Sequence, residues 1–321
     1  MAKLLSIGEV LIDFIPQEKG VALKDVVSFE RAPGGAPANV AAAVAKYGQE
    51  SVMISKLGQD AFGDFLIEKL ADAGVNTDYI LRTKEANTAL AFVSLKENGE
   101  RDFSFYRNPS ADLLLQADEL DENIFGEGDF LHFCSVDLVE SPMKYAHEQA
   151  IDIVKSQKGI ISFDPNVRLP LWDDEEDCRR TILEFLPKAN IVKVSDEELE
   201  FITGISDEKE ALSSLFSGDV EVVIYTQGAK GAMVLTHETS LFKQGFAVDA
   251  VDTTGAGDAF IGGFLSVLLK NHVRREKLKE FVEAKGDELL TFANASGALT
   301  TTNKGGISAL PTLQEIEEIG E

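Results

Sequence analysis

The chain has 321 residues, 44% of them hydrophobic, enough for one large α/β domain with an insertion or for two domains. Its 55 acidic residues outweigh 30 basic ones, for a formal charge of −25. That balance argues against general affinity for nucleic acid or an anionic membrane surface, and an anionic substrate would need locally placed donors.

The first residues, 1–8, are too short for a signal peptide and read as a first strand over Lys3–Ile7. Residues 10–16 form another β-rich run, in which Asp13 is a lone carboxylate among apolar side chains. It suits either an exposed edge position or an acceptor for substrate hydroxyls. A strand over 26–30 and the turn Gly34-Gly35-Ala36-Pro37-Ala38-Asn39 follow. The small, Ala-rich side chains of 38–47 then favour a helix that stops at Gly48. Asn39 lies in its first turn, where its amide serves either the backbone or a polar ligand.

A strand over 51–56 and a helix over 61–73 establish a β-α-β-α rhythm, hence a parallel sheet. The rhythm then breaks. Runs 88–96 and 101–107 alternate like strands around Asn98-Gly99, a strong hairpin signal. With the strands near 10–16 and 26–30, they would make a small β-lid from about 10–32 and 88–108 on a single domain spanning 1–321. From Asp129 the rhythm returns, with strands over 130–134 and 160–163 and a helix over 142–156. The polar cluster Asp164-Pro165-Asn166-Val167-Arg168 lies just past a strand end, where open α/β sheets bind ligands. A strand over 191–194 leads to Ser195-Asp196-Glu197-Glu198, read either as a capping box or with Glu198 holding a hydrated metal. A further turn, Thr226-Gln227-Gly228-Ala229-Lys230-Gly231, joins strands over 220–225 and 232–236 and could wall a nucleotide site.

Residues 245–251 read as a strand end, and 259–269 as a buried helix. Between them stands Asp252-Thr253-Thr254-Gly255-Ala256-Gly257-Asp258. The glycines let the backbone turn tightly, and the first N–H groups of the helix, with its dipole, favour phosphate. Asp258 is either the helix cap or a base beside a transferring phosphoryl group. A solvated helix over 274–285 and a second helix over 287–302, rich in small residues, close the pattern. Cys134 and Cys178 have no metal-like spacing, which fits a reducing cytoplasm. No apolar run approaches a membrane span, and there is no P-loop, zinc or Ser-hydrolase motif. The Gly-Ala-Gly turn lacks the third glycine of a dinucleotide fingerprint.

The two glycine turns, residues 34–39 and 252–258, resemble the two signatures of the ribokinase-like carbohydrate kinases, in the right order and across the whole chain. Within that family, Phe105-Tyr106-Arg107-Asn108-Pro109-Ser110-Ala111-Asp112 and the cluster at 164–168 look most like fructokinases. The resemblance implies a Rossmann-like three-layer α/β/α parallel sheet with a β-lid, and transfer of ATP's γ-phosphoryl to the 6-hydroxyl of D-fructose. It makes Asp258 the base and Gly255, Ala256 and Gly257 the anion hole. Sugar contacts fall to Asp13, Gly34, Gly35, Asn39, Arg107 and Arg168. Nucleotide contacts fall to Lys193, Thr226, Gly228, Gly231 and Asn294. Glu198 would organise Mg2+ through water. Asp252, Thr254, Thr300, Asn303 and Gly305 match positions that hold K+ in many members. Ser195 stands where the family usually has Asn. The resemblance also implies a homodimer. A kinase for 2-keto-3-deoxygluconate or another ketose or ribose, and a sugar-sensing pseudokinase, are the alternatives.

Overall fold

The computed structural model describes residues 2–18, 20–95 and 101–320. The chain begins with β1 (Leu4–Ile7), then β2 (Leu11–Pro16), β3 (Phe29–Gly34), α1 (Ala36–Lys46), β4 (Ser51–Gly58), α2 (Ala61–Asp72) and β5 (Ile80–Thr83). The hairpin strands are β6 (Ala89–Leu95) and β7 (Arg101–Tyr106). The α/β rhythm resumes with β8 (Phe130–Cys134), α3 (Pro142–Ser156), β9 (Ile160–Asp164), α4 (Glu175–Phe185) and β10 (Ile191–Ser195). Then come α5 (Asp196–Thr203), α6 (Glu208–Ser214), β11 (Val222–Thr226), β12 (Gly231–Leu235) and β13 (Ser240–Gln244). The chain closes with α7 (Ala256–Lys270), α8 (Leu278–Thr300) and α9 (Leu313–Gly320).

Nine strands form one sheet in the order β13-β12-β11-β10-β9-β8-β1-β4-β5, parallel except where β12 pairs with β11 and β13. Strand residues alternate between two cores. Leu5, Ile7, Leu131, Phe133 and Val223 pack under α3, α4, α5 and α6. Leu4, Phe130, Ile191, Val222 and Ile224 pack under α1, α7 and α8. The result is the expected Rossmann-like three-layer fold. From β1 the chain proceeds outward through β4 and β5, and from β8 it proceeds the other way. The topological switch therefore lies between β1 and β8, where such sheets open a ligand crevice at the strands' carboxyl ends.

The second sheet has four strands in the order β3-β2-β6-β7. The proposed tip of its hairpin, Asn98-Gly99, lies outside the described residues; the flanking strands pair antiparallel from Leu90↔Tyr106 to Leu95↔Arg101. Phe14 stacks on Phe92 with centroids 4.7 Å apart, and Phe29 and Tyr106 meet Phe92 edge-on. Asp13 lies on β2, an interior strand paired on both sides, and is half-buried, so it is no exposed edge residue.

Helix α7 is apolar nearly all round because helices flank it. A methyl added to Gly262 would lie 2.6 Å from the Ala43 Cβ of α1, and one on Gly263 would lie 3.1 Å from Ser296 Cβ of α8. Two expectations fail here. Residues 245–251 form no strand: the last strand, β13, ends at Gln244, and Asn294 Nδ2 donates to the carbonyls of Lys243 and Gln244 at 3.2 and 3.4 Å. The two helices expected over 274–285 and 287–302 are instead a 3-10 turn (Arg275–Lys277) and the single helix α8, which Gly286 does not interrupt. The expected strand at 26–30 is shifted to Phe29–Gly34, and α1 starts at Ala36 with Pro37 in its first turn.

Candidate active site

Gly35 starts the site. Its φ of +106°, with only 2.4 Å between a hypothetical Cβ and the Glu9 carbonyl, admits no other residue without strain. This turn aims Asn39, in the first turns of α1, across the molecule. Its Nδ2 donates to Asp258 Oδ2 at 2.8 Å, joining the two glycine turns across 219 residues. Asn166 Nδ2, held at φ +46° after β9, approaches Asp258 Oδ1 at 3.4 Å.

The helix-cap reading of Asp258 fails. Gly255, at φ +74°, is the N-cap of α7, and no side chain caps the helix. Asp258 lies in the first turn, and its carboxylate points to Asn39 and Asn166. By contrast, Asp60, Asp174 and Asp207 cap α2, α4 and α6. An uncapped helix start leaves its N–H groups for an anion. Burial pushes the Asp258 carboxyl above the ordinary range, opposed by the Asn39 hydrogen bond and by the charges of Lys193 and Arg168. Desolvation outweighs these three favourable interactions.

Behind the turn, Lys193 of β10 donates to Asp164 Oδ2 at 2.5 Å, and both are buried. Burial raises Asp164 to about 6. Lys193 is held above its usual value as well: burial opposes its charge, but Asp164, Glu198 and Asp258 outweigh it. Three carboxylates share one ammonium, so protons are favoured on both partners. Glu198 is both cap and anchor. Ser195 N and Oγ donate to its Oε2 at 3.0 and 2.8 Å, and Val167 N donates to Oε1 at 2.7 Å. Arg168 is exposed at the cleft, its Nη1 on the Val167 carbonyl at 2.9 Å.

A second polar cluster fills the switch point. Arg107, at the end of β7, pairs with both Asp112 and Asp137 and is almost fully buried. Glu9 accepts from Ala36 N at 2.8 Å. Burial, with Asp137 nearby, lifts Glu9 well above the carboxylate range; burial lifts Asp137 to about 7 against the pull of Arg107. Asp13 reaches over Gly34, where a Cβ would lie 2.1 Å from Oδ2.

The remaining expected residues fall into two groups, one at the ends of β11 to β13 and one in the loops that pack on the Gly255 turn, where a Cβ would lie 2.9 Å from Gly306 Cα. Thr226 Oγ1 rests 3.4 Å from the Val194 carbonyl, and Gly228 faces open space. At Gly231 a Cβ would meet the Lys243 carbonyl at 2.1 Å, a backbone approach. The Asn294 amide is engaged with β13. Asp252 knits two loops: Oδ1 accepts from Thr254 N and Oγ1 at 2.9 and 2.7 Å, and Oδ2 from Gly305 N at 2.9 Å. Thr300 is buried with its hydroxyl on Ser296 O, whereas Asn303 is exposed. Glu9, Asp137, Asp164 and Asn166 were not singled out from sequence. For Asn166 and Asp164 the signal was present, in the polar cluster after β9; Glu9 and Asp137 have no local signal.

Among the described residues, no three His, Cys, Asp or Glu side chains cluster to hold a metal. One anchored carboxylate, Glu198, fits Mg2+ that keeps most of its waters and binds phosphate oxygens.

The family model for "pfkB family carbohydrate kinase" matches residues 1–313. The chain belongs to the pfkB family of carbohydrate kinases. This kinase is 44% identical to "Fructokinase-2" of Oryza sativa subsp. japonica over 321 residues, covering 98% of this chain and 93% of that one. A crystal structure of a fructokinase with bound ATP from Xylella fastidiosa superposes with a TM-score of 0.91 at 34% identity, covering 99% of this chain and 97% of that one. A Vibrio cholerae O395 fructokinase, in fructose, ADP and calcium ion bound form, gives 0.89 at 34% identity, covering 100% and 99%.

Proposed function

We propose that this kinase transfers the γ-phosphoryl group of ATP to the 6-hydroxyl of D-fructose. The Asn39–Asp258 hydrogen bond carries the reading, because it brings both glycine turns to one point. Buried polar atoms without a protein partner gather around the same strand ends: Glu9 Oε2, Asn39 Oδ1, Arg107 Nε, Asp137 Oδ2 and Asp164 Oδ1. Buried polar groups want partners, and a polyhydroxyl ligand with its waters supplies donors and acceptors together.

In this reading Asp13, Gly34, Gly35, Asn39 and Arg168 seat the sugar, and Arg107 supports it from the small sheet. Asp258, oriented by Asn39 and Asn166, takes the proton of the 6-hydroxyl as its oxygen bonds to phosphorus and the bond from phosphorus to the β-phosphate oxygen breaks. The N–H groups of Gly255, Ala256 and Gly257 meet the charge on the transferred group. Lys193, Thr226, Gly228, Gly231 and Asn294 line the nucleotide channel. Glu198 holds Mg2+ through water, and that ion, when bound, neutralises phosphate charge. The Asp252–Gly305 loop pair, with Thr254, Thr300 and Asn303, is the place for K+. The small sheet acts as a lid, excluding water and pairing in a homodimer through its outer face, where Tyr106 is 64% exposed. A cytoplasmic setting suits two free, buried cysteines.

The test is a panel of fructose, ribose, 2-keto-3-deoxygluconate and other ketoses with ATP and Mg2+, ranked by kcat/KM. Fructose should rank first. A better ketose would overturn the sugar assignment, and no turnover with any sugar would overturn the catalytic reading.

A further inference from the structure

Lys193 carries its charge in a place where burial alone would disfavour it. Its side chain is 7% exposed on central strand β10, so its ammonium has lost its hydration. It also sits at the positive end of a helix: a methyl on Gly257, the second residue of α7, would lie 3.4 Å from Nζ. The Asp164 clamp, with Glu198 and Asp258, outweighs that cost, so the ammonium stays charged beside the turn. Two positive ends, ammonium and helix, converge on one turn. That convergence favours negative charge on the other side of the turn.

Asp258 is the carboxylate next to that turn. Asn39 of α1 and Asn166 after β9 donate to it. Asp164 of β9 adds negative charge, and the buried Cys134 thiol of β8 lies within its field. Glu198 of α5 and the neutral His132 of β8 face Lys193. Two cations act on Asp258, Lys193 and Arg168. Arg168 is exposed, so solvent and salt screen it; Lys193 is buried and keeps its effect.

We propose that Lys193 is a positioning residue for phosphoryl transfer: clamped by Asp164 behind the glycine turn, its ammonium holds Asp258 as a carboxylate and adds fixed positive charge to the donors of Gly255, Ala256 and Gly257. The role rests on the sugar-kinase reading for the chemistry it serves. The electrostatic effect on Asp258 exists without any substrate, and so can be tested apart from it.

The experiment is a 13C NMR titration of protein labelled at aspartate Cγ, without ligands, with the Asp258 signal assigned by its absence in Asp258→Asn. In Lys193→Met the Asp258 midpoint should rise by about one pH unit, and Lys193→Arg should reverse most of the rise. The kcat of Lys193→Met should fall roughly 10- to 100-fold at the acid end of its pH profile and recover partly as pH rises and Asp258 regains its charge. Because the single variant leaves Asp164 buried and unpaired, Lys193→Met/Asp164→Asn serves where folding fails, with a rise of about half a unit expected. An Asp258 titration superimposable on the wild type in Lys193→Met, or in the double variant, overturns the proposal, as does a loss of kcat that is flat across pH. If the wild type phosphorylates no sugar, the proposed function falls while the NMR titration still decides the role of Lys193.

Discussion

At the scale of single residues, the carboxylate of Asp258, the proposed base, has an unfavourable placement. Burial holds its pKa above the ordinary value, so the folded state binds this proton more tightly than the unfolded chain does. Its charged form therefore lowers stability at neutral pH, and the penalty shrinks as pH falls through the folded pKa and is gone below the unfolded one. Asp258→Asn keeps the shape and removes the charge. We expect kcat, followed by coupled ADP release, to fall roughly 10^2- to 10^4-fold. The melting temperature at pH 7 to 8 should rise, and the gain should shrink toward pH 4; a lower melting temperature would contradict the sign. In the wild type, the acid limb of kcat should lie above the ordinary Asp value of about 3.9. Gly34 tests the sugar side. A methyl there would lie 2.1 Å from Asp13 Oδ2, the far end of a side chain, which can swing aside. Gly34→Ala should raise the fructose KM about 10-fold or more through the displaced Asp13, leaving nucleotide KM and fold little changed. An unaltered fructose KM would remove Asp13 from the sugar site.

At the scale of elements, the central question is what ties the small sheet to the large one. Arg107 leaves the end of β7 and pairs with Asp112 and with Asp137 beyond β8, so one guanidinium fastens the hairpin to the switch point. Removing it would leave two carboxylates buried without a cation. Arg107→Met should cost about 3–5 kcal/mol of stability, read as a drop in denaturation midpoint, and less at acid pH, where Asp137 takes up a proton. Equal stability at all pH values would show that this tie carries no load. The elements also mark what a sequence can reveal. Both glycine turns, the α/β rhythm and the hairpin were legible because each depends on local chemistry: backbone freedom at Gly35 and Gly255, and alternation in the flanking strands. Partnerships were not legible. Nothing near Asp258 announces Asn166, 92 residues away, or assigns Arg107 to Asp137 across 30 residues. Segment 245–251 alternates like a strand, yet the ladder between β12 and β13 ends at Gly231↔Gln244, and beyond it the segment is tied at its ends, Gly245 N to the Lys230 carbonyl and Val251 N to the Thr301 carbonyl. Asp258 looked like a cap because capping is a local rule, and only the fold shows that Gly255 performs it.

At the scale of the whole molecule, a charge of −25 opposes an anionic nucleotide, and the two nearby cations, Lys193 and Arg168, must overcome it. Which wins depends on range. At an ionic strength of about 0.01 M the Debye length is roughly 30 Å, so the surplus over the whole surface reaches the cleft. At about 0.15 M it is roughly 8 Å, and only charges lining the cleft still act. Raising ionic strength over that span with tetramethylammonium chloride, at fixed Mg2+ and K+, should lower the KM for ATP about 2- to 5-fold. Fructose carries no charge, so its KM should hold constant and serve as the control. A KM for ATP that climbs with salt would mean that the local cations already dominate at long range, and that the acidic surface faces away from the nucleotide's approach.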